Sequence, residues 1–491
     1  MSSVAINGRS KGRPLLARFL AVAIPIAVLH YAATLAVLFS SKPSDGSAGW
    51  SAFAHHAGIF ALTSPVYAFS AARAHVPFLA LLALNSIFWG LIFAIVIAPA
   101  RHLVLRLFIV IVLVPVLWFG VLTAIDAMFE KQLDRDWAIQ LGARMPLAQR
   151  FPHAATNDTA RRVDELADKI MDRDYESVRA SVQEFLTSQI TRPDDAIDER
   201  PARIEFLMAT RRGDIDALEQ ALSAGDPPQW AVDVESVDKL HSARYFTLQK
   251  IVLLDALEDA RNGDSAGAWR RVQLAERLTR SLRARPDVIS IISAMAAMEN
   301  QLGVARKLQP AGEFPLQRFD GRERMIDARQ AEGWTFRRAV ATTSFDPSWK
   351  GRSALERMLL DIFVRPYARL CAIERSSDEL RNSVVMRRVD RCNFDPPKAA
   401  DDTSRFPNPI NTDSMSDAAK FAVRANRMLL DFEGTEKIQL LKRDPSADVT
   451  RSMCPHRRWV FDGRTLRLEP EVPLKLPLPT QHTTTAGRTS S

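Results

Sequence analysis

Apolar residues run almost unbroken over Leu15 to Phe39, Val76 to Ala98 and Leu103 to Phe129, whereas from Glu130 onward they recur only at short intervals between charges. A helix needs ~20 apolar residues to cross a bilayer core, and a segment in lipid must satisfy its backbone internally. The pattern therefore predicts a transmembrane region over 15–129 with three helical spans at about 15–39, 76–98 and 103–129. A short basic stretch, 1–14, precedes it. The first run is longer than a secretory signal core and further apolar runs follow, which argues against a cleaved leader.

Beyond the third run the spacing is that of amphipathic helices. Val163, Leu166, Ala167, Ile170 and Met171 fall on one helical face, and Val178, Val182, Leu186 and Ile190 repeat the arrangement. Ile204, Leu207 and Met208 are followed by Ile215, Leu218 and Leu222 across Gly213-Asp214. Glycine suits a left-handed helix end and aspartate caps the next helix, so Gly-Asp predicts a compact helix joint there and again at Gly263-Asp264. The region 130–392 is thus expected to be a soluble domain of packed α-hairpins. The echo between the two joints spans 50 residues, which fits neither an ankyrin nor a tetratricopeptide period, and the Thr-Pro-Leu-His element of ankyrin units is missing.

Val288, Ile289, Ile291, Ile292, Ala294, Met295 and Met298 leave little polar surface on any side after Pro286. At about fifteen residues this segment is shorter than a span and is expected to be the central core helix, with Trp269, Val272, Leu278 and Leu282 packed on it. Glu299, Asn300 and Gln301 are read as its solvated end, with a pocket lining as the alternative. Residues 393–479 predict a long loop up to Met415, a helix from about Ser416 to Lys442 and a small β-hairpin. Trp459-Val460-Phe461 and Thr465-Leu466-Arg467-Leu468 would be its strands around Asp462-Gly463. Pro470 to Pro479 reads as extended and 480–491 as a disordered tail.

Charge orients this arrangement. Arg9, Lys11, Arg13 and Arg18 lie before or at the start of the first span, Arg101 and Arg106 lie at the junction of the second and third, and Lys42 and Arg73 alone represent lysine and arginine between Ser40 and His75. Basic residues favour the cytoplasmic ends of spans, so the N-terminus is expected inside and the soluble region outside, in a bacterial periplasm. A fourth span over Trp50 to Ala72 would reverse this. It would also expose Arg101 and Arg106 outside and place Pro65, His55 and His56 in lipid.

The net charge of +8 concentrates in the membrane region, which holds six of those charges before Phe129. The nearly balanced remainder carries no electrostatic footprint for a phosphate backbone, and no nucleic-acid partner is expected. Three cysteines, Cys371, Cys392 and Cys454, allow one bridge. Cys371 lies in an apolar helical pattern while Cys392 and Cys454 flank loops, so Cys392 with Cys454 is the expected pair. There is no CxxC or Cys/His zinc spacing, and no metal or other cofactor is expected.

Signatures of the common catalytic constellations are missing: no GxSxG, HExxH, Walker loop or GxGxxG follows the appropriate element. Ser236-x-x-Lys239 matches the Ser-x-x-Lys of penicillin-interacting enzymes without its Ser-Asp-Asn and Lys-Thr-Gly companions, and is read as a helix cap. No catalytic residue is assigned. His30, Asn85 and Ser86 lie inside apolar runs and are expected to tie helices together. A proton or metal site shared with His55, His56 and His75 is the alternative. The chain is thus expected to be mainly α and non-enzymatic, an inner-membrane protein whose partners are the lipid bilayer and an envelope protein contacted by its periplasmic domain. An envelope glycan or peptide hydrolase using carboxylates is the alternative, and a transport or sensing subunit the third.

Overall fold

The computed structural model describes residues 13–40, 78–97, 103–142, 147–192, 196–234, 242–310, 312–341, 353–359, 365–394, 418–463, 465–470 and 475–477. The fold is mainly helical with a small antiparallel sheet. Contacts divide it into two compact units: 1–142 with 336–378 and 400–416, and 143–335 with 379–399 and 417–491.

The first unit begins with helices α1 (Arg13–Ser40), α2 (Phe78–Ile97) and α3 (Leu103–Leu141). The sides of α1 and α2 turned to each other hold Ala23, Thr34, Leu82, Asn85, Ser86 and Ala94, all buried, while Leu29, Val28, Leu84 and Ile95 are exposed. Small and polar residues inside with large apolar ones outside reverse the order of a water-soluble helix pair, as expected for lipid. A Cβ on Gly90 would lie 2.6 Å from Ala23 O and 2.9 Å from Ala27 Cβ, so only glycine permits this approach.

Two helices among the described residues are long and apolar enough to cross a membrane, Leu16–Leu35 and Val288–Lys307. All three runs read as spans form helices, but of them the first alone meets both criteria among the described residues. The apolar run described in the second is Leu82–Ile95, and α3 continues past Phe129 into Glu130–Leu141. The stretch Trp50 to Ala72 lies outside the described residues.

The second unit starts with α4 (Leu147–Arg150), α5 (Asp158–Ile170), α6 (Arg173–Thr191), α7 (Ala202–Thr210) and α8 (Arg212–Ala224). Its centre is formed by α9 (Ser242–Arg261), α10 (Ser265–Arg283) and α11 (Val288–Lys307), which pack on one another. The core helix α11 is 20 residues long rather than about fifteen. It would pass for a span by length, yet Ile291, Ala294, Met295, Met298, Leu302 and Val304 are sealed in protein. Asp287 opens it, accepting from the Ser290 N–H at 2.8 Å. Gly303 sits where a Cβ would meet Ile190 Cβ at 2.5 Å, which lets α6 lie against α11.

The two Gly-Asp joints differ. Gly263 has φ +81° and Asp264 caps α10 through the Gly267 N–H at 2.8 Å. Gly213 instead lies inside α8, after a turn ended by Arg211 with φ −100°, and Asp214 belongs to the first helical turn. A single reversal at Arg211 suffices there, so no left-handed residue is needed.

Helix α12 (Gly321–Ala341), helices α13 (Ala354–Leu359) and α14 (Arg365–Arg388), and α15 (Ala418–Arg443) complete the helical set, with α15 packed on α11. Strands β1 (Arg458–Phe461) and β2 (Thr465–Glu469) pair with Trp459 opposite Leu468 and Phe461 opposite Leu466. Asp462 is a flank of the turn: its N–H donates to Thr465 O at 3.3 Å and its carboxylate accepts from the Thr465 N–H at 2.7 Å. Gly463 then supplies the positive φ of 90°. A third strand, β3 (Lys475–Pro477), pairs with β2, so the expected hairpin is the larger part of a three-stranded sheet. Trp459, Leu466 and Leu468 enter a core with Leu430, Ile438, Leu441 and Phe394.

Candidate functional site

Cys392 and Cys454 form a disulfide with Cα atoms 5.5 Å apart, and Cys371 is a free, buried thiol. The bridge joins the segment after α14 to the buried cluster beneath the sheet, where Cys454 is fully enclosed. Burial pushes the Cys371 thiol up, outweighing its hydrogen bond with Tyr367.

Of the polar residues expected inside the apolar helices, two meet. His30 Nδ1 and Ser86 Oγ are 3.0 Å apart, and the Ser86 hydroxyl donates to Leu82 O at 2.9 Å. The serine hydroxyl thus bridges the His30 ring of one helix and the backbone of the other. Asn85 is buried on the same helix. His55, His56, His75, Ser236 and Lys239 lie outside the described residues. Among the described residues no three His, Cys, Asp or Glu side chains are grouped to hold a metal.

The second unit's interior carboxylates are occupied by arginines. Asp255 accepts from Arg200 at 2.9 Å and from Arg212 at 2.7 Å. Glu276 meets Arg283 at 3.0 Å, and that guanidinium lies 4.7 Å over the Phe319 ring. Asp431 takes Arg306 at 2.6 Å, while Arg329 pairs with Glu379. Burial raises the carboxyls of Glu276 and Asp431 even though an arginine beside each pulls the other way. The pairs of Asp255, Asp431 and Glu379 lock separate elements to one another, whereas Glu276 and Arg283 stand two turns apart on the single helix α10.

Glu299, Asn300 and Gln301 are not the end of their helix, because α11 continues to Lys307. Glu299 forms a bidentate pair with Arg424 at 3.0 and 2.8 Å, and Gln301 donates to Thr279 at 2.9 Å in full burial. Glu299 thus links α11 to α15, and Gln301 links it to α10. Asp164 performs a similar task, accepting from Trp230 Nε1 at 3.0 Å and from the Tyr245 hydroxyl.

A different constellation appears in the first unit, where the polar continuation of α3 meets α14. A cavity of about 50 Å³ is lined by Gln132 and Asp136 from α3 and by Glu374 and Ser377 from α14, with Phe129 and Leu370 among its apolar walls. Arg337 braces the α3 side through Glu130 at 2.6 Å and Asp134 at 3.2 Å. One helical turn before Phe129 stands Asp126, whose residue is 4% exposed. Neither of its oxygens has a hydrogen-bond partner among the described residues. Its signal in the sequence was its position as the lone acidic residue in the third apolar run, which is an expensive place for a carboxyl.

No family model, curated protein or solved structure matches the chain.

Proposed function

We propose that the chain is a multi-pass bacterial inner-membrane protein whose three spans, 15–39, 76–98 and 103–129, hold a helical region in the periplasm, where it acts through contacts with an envelope protein. The observation that carries the reading is the Cys392–Cys454 disulfide, since structural disulfides persist in oxidising compartments and are rare in the cytosol. The basic residues at Arg9 to Arg18 and Arg101 to Arg106 support the same side for the soluble region. Interaction is favoured over hydrolysis by the arginine pairing of Asp255, Glu276, Glu379 and Asp431, which turns the interior carboxylates into braces.

An alkaline-phosphatase fusion near Thr480 tests the location: activity is expected, and an inactive phosphatase beside a fluorescent cytoplasmic-type fusion at the same point overturns it. Crosslinking in intact cells tests the role, with a discrete crosslinked envelope protein expected. Exclusively monomeric chain at every crosslinker length, alongside hydrolysis of cell-wall glycan or peptide by the purified protein, would replace this reading by the enzymatic one.

A further inference from the structure

The two sulfurs of the disulfide differ in access. Cys392 lies in the turn after α14, half-buried between the exposed Arg391 and Asn393. Cys454 is 0% exposed, enclosed in the cluster that holds Trp459, Leu466 and Leu468. A thiolate attacks a disulfide sulfur in line with the bond, from the side opposite the sulfur it expels. For Cys392 that side faces away from its enclosed partner, whereas Cys454 can be reached only through the protein around it. Exchange therefore has one entry atom, Cys392 Sγ, and one leaving atom, Cys454 Sγ.

Both halves of the bond are also tied to α15 by contacts that do not involve sulfur. Asn426 donates to Asp390 O at 2.9 Å and to Asn393 O at 3.2 Å, and Arg427 donates to Phe394 O at 2.6 and 3.1 Å. Two turns after Asn426 on the same helix, Glu433 accepts from the Met453 N–H at 3.0 and 3.1 Å. Phe394 and Cys454 share one apolar cluster besides. Breaking the S–S bond leaves all of these contacts in place, so α15 keeps the thiols near the positions in which their Cα atoms are 5.5 Å apart. Reclosure is then an intramolecular step with a high effective concentration.

We propose that Cys392–Cys454 is a reversible thiol–disulfide exchange site whose partner is a dithiol oxidoreductase. A thiolate of the partner attacks Cys392 Sγ, the S–S bond breaks, and its electron pair leaves on Cys454 Sγ, which takes up a proton. The partner's second thiol gives up its proton, attacks the partner sulfur of the mixed disulfide and expels Cys392 as a thiolate, which is protonated in turn. Two electrons and two protons have then passed to the chain, and the partner has become a disulfide. A monothiol fails to complete this sequence, because Cys454, held beside Cys392, expels it first. The closed bond is the resting state, so the site adds to the partner-binding role proposed above and does not depend on it.

The test uses the full chain in detergent and peptide mass mapping, with reduced thioredoxin as the dithiol. Thioredoxin should open the bond in the folded chain, and glutathione at the same thiol concentration should do so at least about tenfold more slowly. C454S should react with oxidised glutathione about tenfold faster than C392S while folded, and at a similar rate in urea. Added to the reduced natural chain, oxidised glutathione should restore the bond with little adduct on Cys392. In urea, where α15 no longer holds the two segments, that adduct should accumulate. The measurements on the natural chain decide by themselves where a single variant does not fold. Equal rates for the two folded variants, an adduct on Cys392 of the folded natural chain at the level seen in urea, or a bond that thioredoxin opens only in urea each overturns the proposal.

Discussion

Arg200 and Asp255, 55 positions apart, meet at 2.9 Å with side chains only 6% and 2% exposed. The pair fastens the chain just before α7 to the middle of α9, and Arg212 reaches the same carboxylate from α8. Three elements therefore converge on one buried anion.

Truncating that anion should be severe. D255A removes the nearest counter-charge of the buried Arg200 and leaves it only the longer ion pairs with Glu205 at 3.5 Å and Glu258 at 3.7 Å. Removal of one partner of a buried pair is destabilising by about 3–5 kcal/mol, which sets the upper bound here. Chemical denaturation of the variant should show this loss. A paired R200M/D255L replacement should recover most of it, because neither charge remains enclosed.

The disulfide sets a second expectation. Peptide mapping without reduction should recover Cys392 linked to Cys454, with Cys371 unreactive toward thiol reagents until the protein unfolds. A sequence separation of 62 residues corresponds to about 4 kcal/mol of loop-closure entropy, so C392S/C454S should lower stability by up to that amount. Three free thiols in protein taken from intact cells would refute the pairing.

Lys250 gives a pH dependence of definite sign. Burial is the chief cause of its lowered pKa, about 8, with Arg179 adding repulsion, and its ammonium lies 4.1 Å over the Phe246 ring. Between about 8 and the ordinary lysine value the unfolded chain binds more protons than the folded one, so this residue makes stability rise with pH across that window. K250M should melt higher than the natural protein at neutral pH, and the gap should narrow as pH increases. A gap constant from pH 7 to 10 would show the amine to be unperturbed.

In the first unit, G90I should separate α1 from α2, since its Cβ would strike Ala23 O and Ala27 Cβ. S86A removes the partner of His30, at roughly 1 kcal/mol for such a bond in a membrane. Thermal melting in detergent should rank the variants G90I below S86A below the natural chain.

Removal of the N-terminal helices tests the partition of the chain. Residues 336–378 belong to the unit that contains α3. A chain beginning at Pro152 and exported to the periplasm should be soluble, helical and cooperative on heating. Its 336–378 segment, however, should exchange amide hydrogens faster than in the full protein, having lost Glu130 and Asp134 as partners of Arg337. Uniform protection across 336–378 would show that the α3 contacts contribute little.

Helix existence was legible because burial imprints the 3.6-residue period directly: the faces of Val163 to Ile170 and Val178 to Leu186 are the faces the structure buries. Local turn chemistry was legible only where conformation demanded it. Gly263 needs a left-handed residue and Gly213 does not, though the dipeptides are identical. The third strand escaped notice because Lys475–Pro477 has no alternation of its own and is defined by pairing with β2. The arginine braces were hidden for the same reason. Arg200 and Arg306 resemble surface residues until packing brings Asp255 and Asp431 to them. The length of α11 was underestimated because Asn300 and Gln301 look like a solvated end, when both are buried and Gln301 has its partner Thr279 inside the protein.

Cys454 is enclosed together with Trp459, Leu466 and Leu468, so the covalent link and the sheet's apolar seat are one structure. A copy stranded among reducing thiols would lack the link just where that seat is assembled. Its last strands would open more often and present cleavable backbone, whereas in the oxidised chain they are fastened to the helical core, so reduction alone should speed proteolysis at this end of the chain.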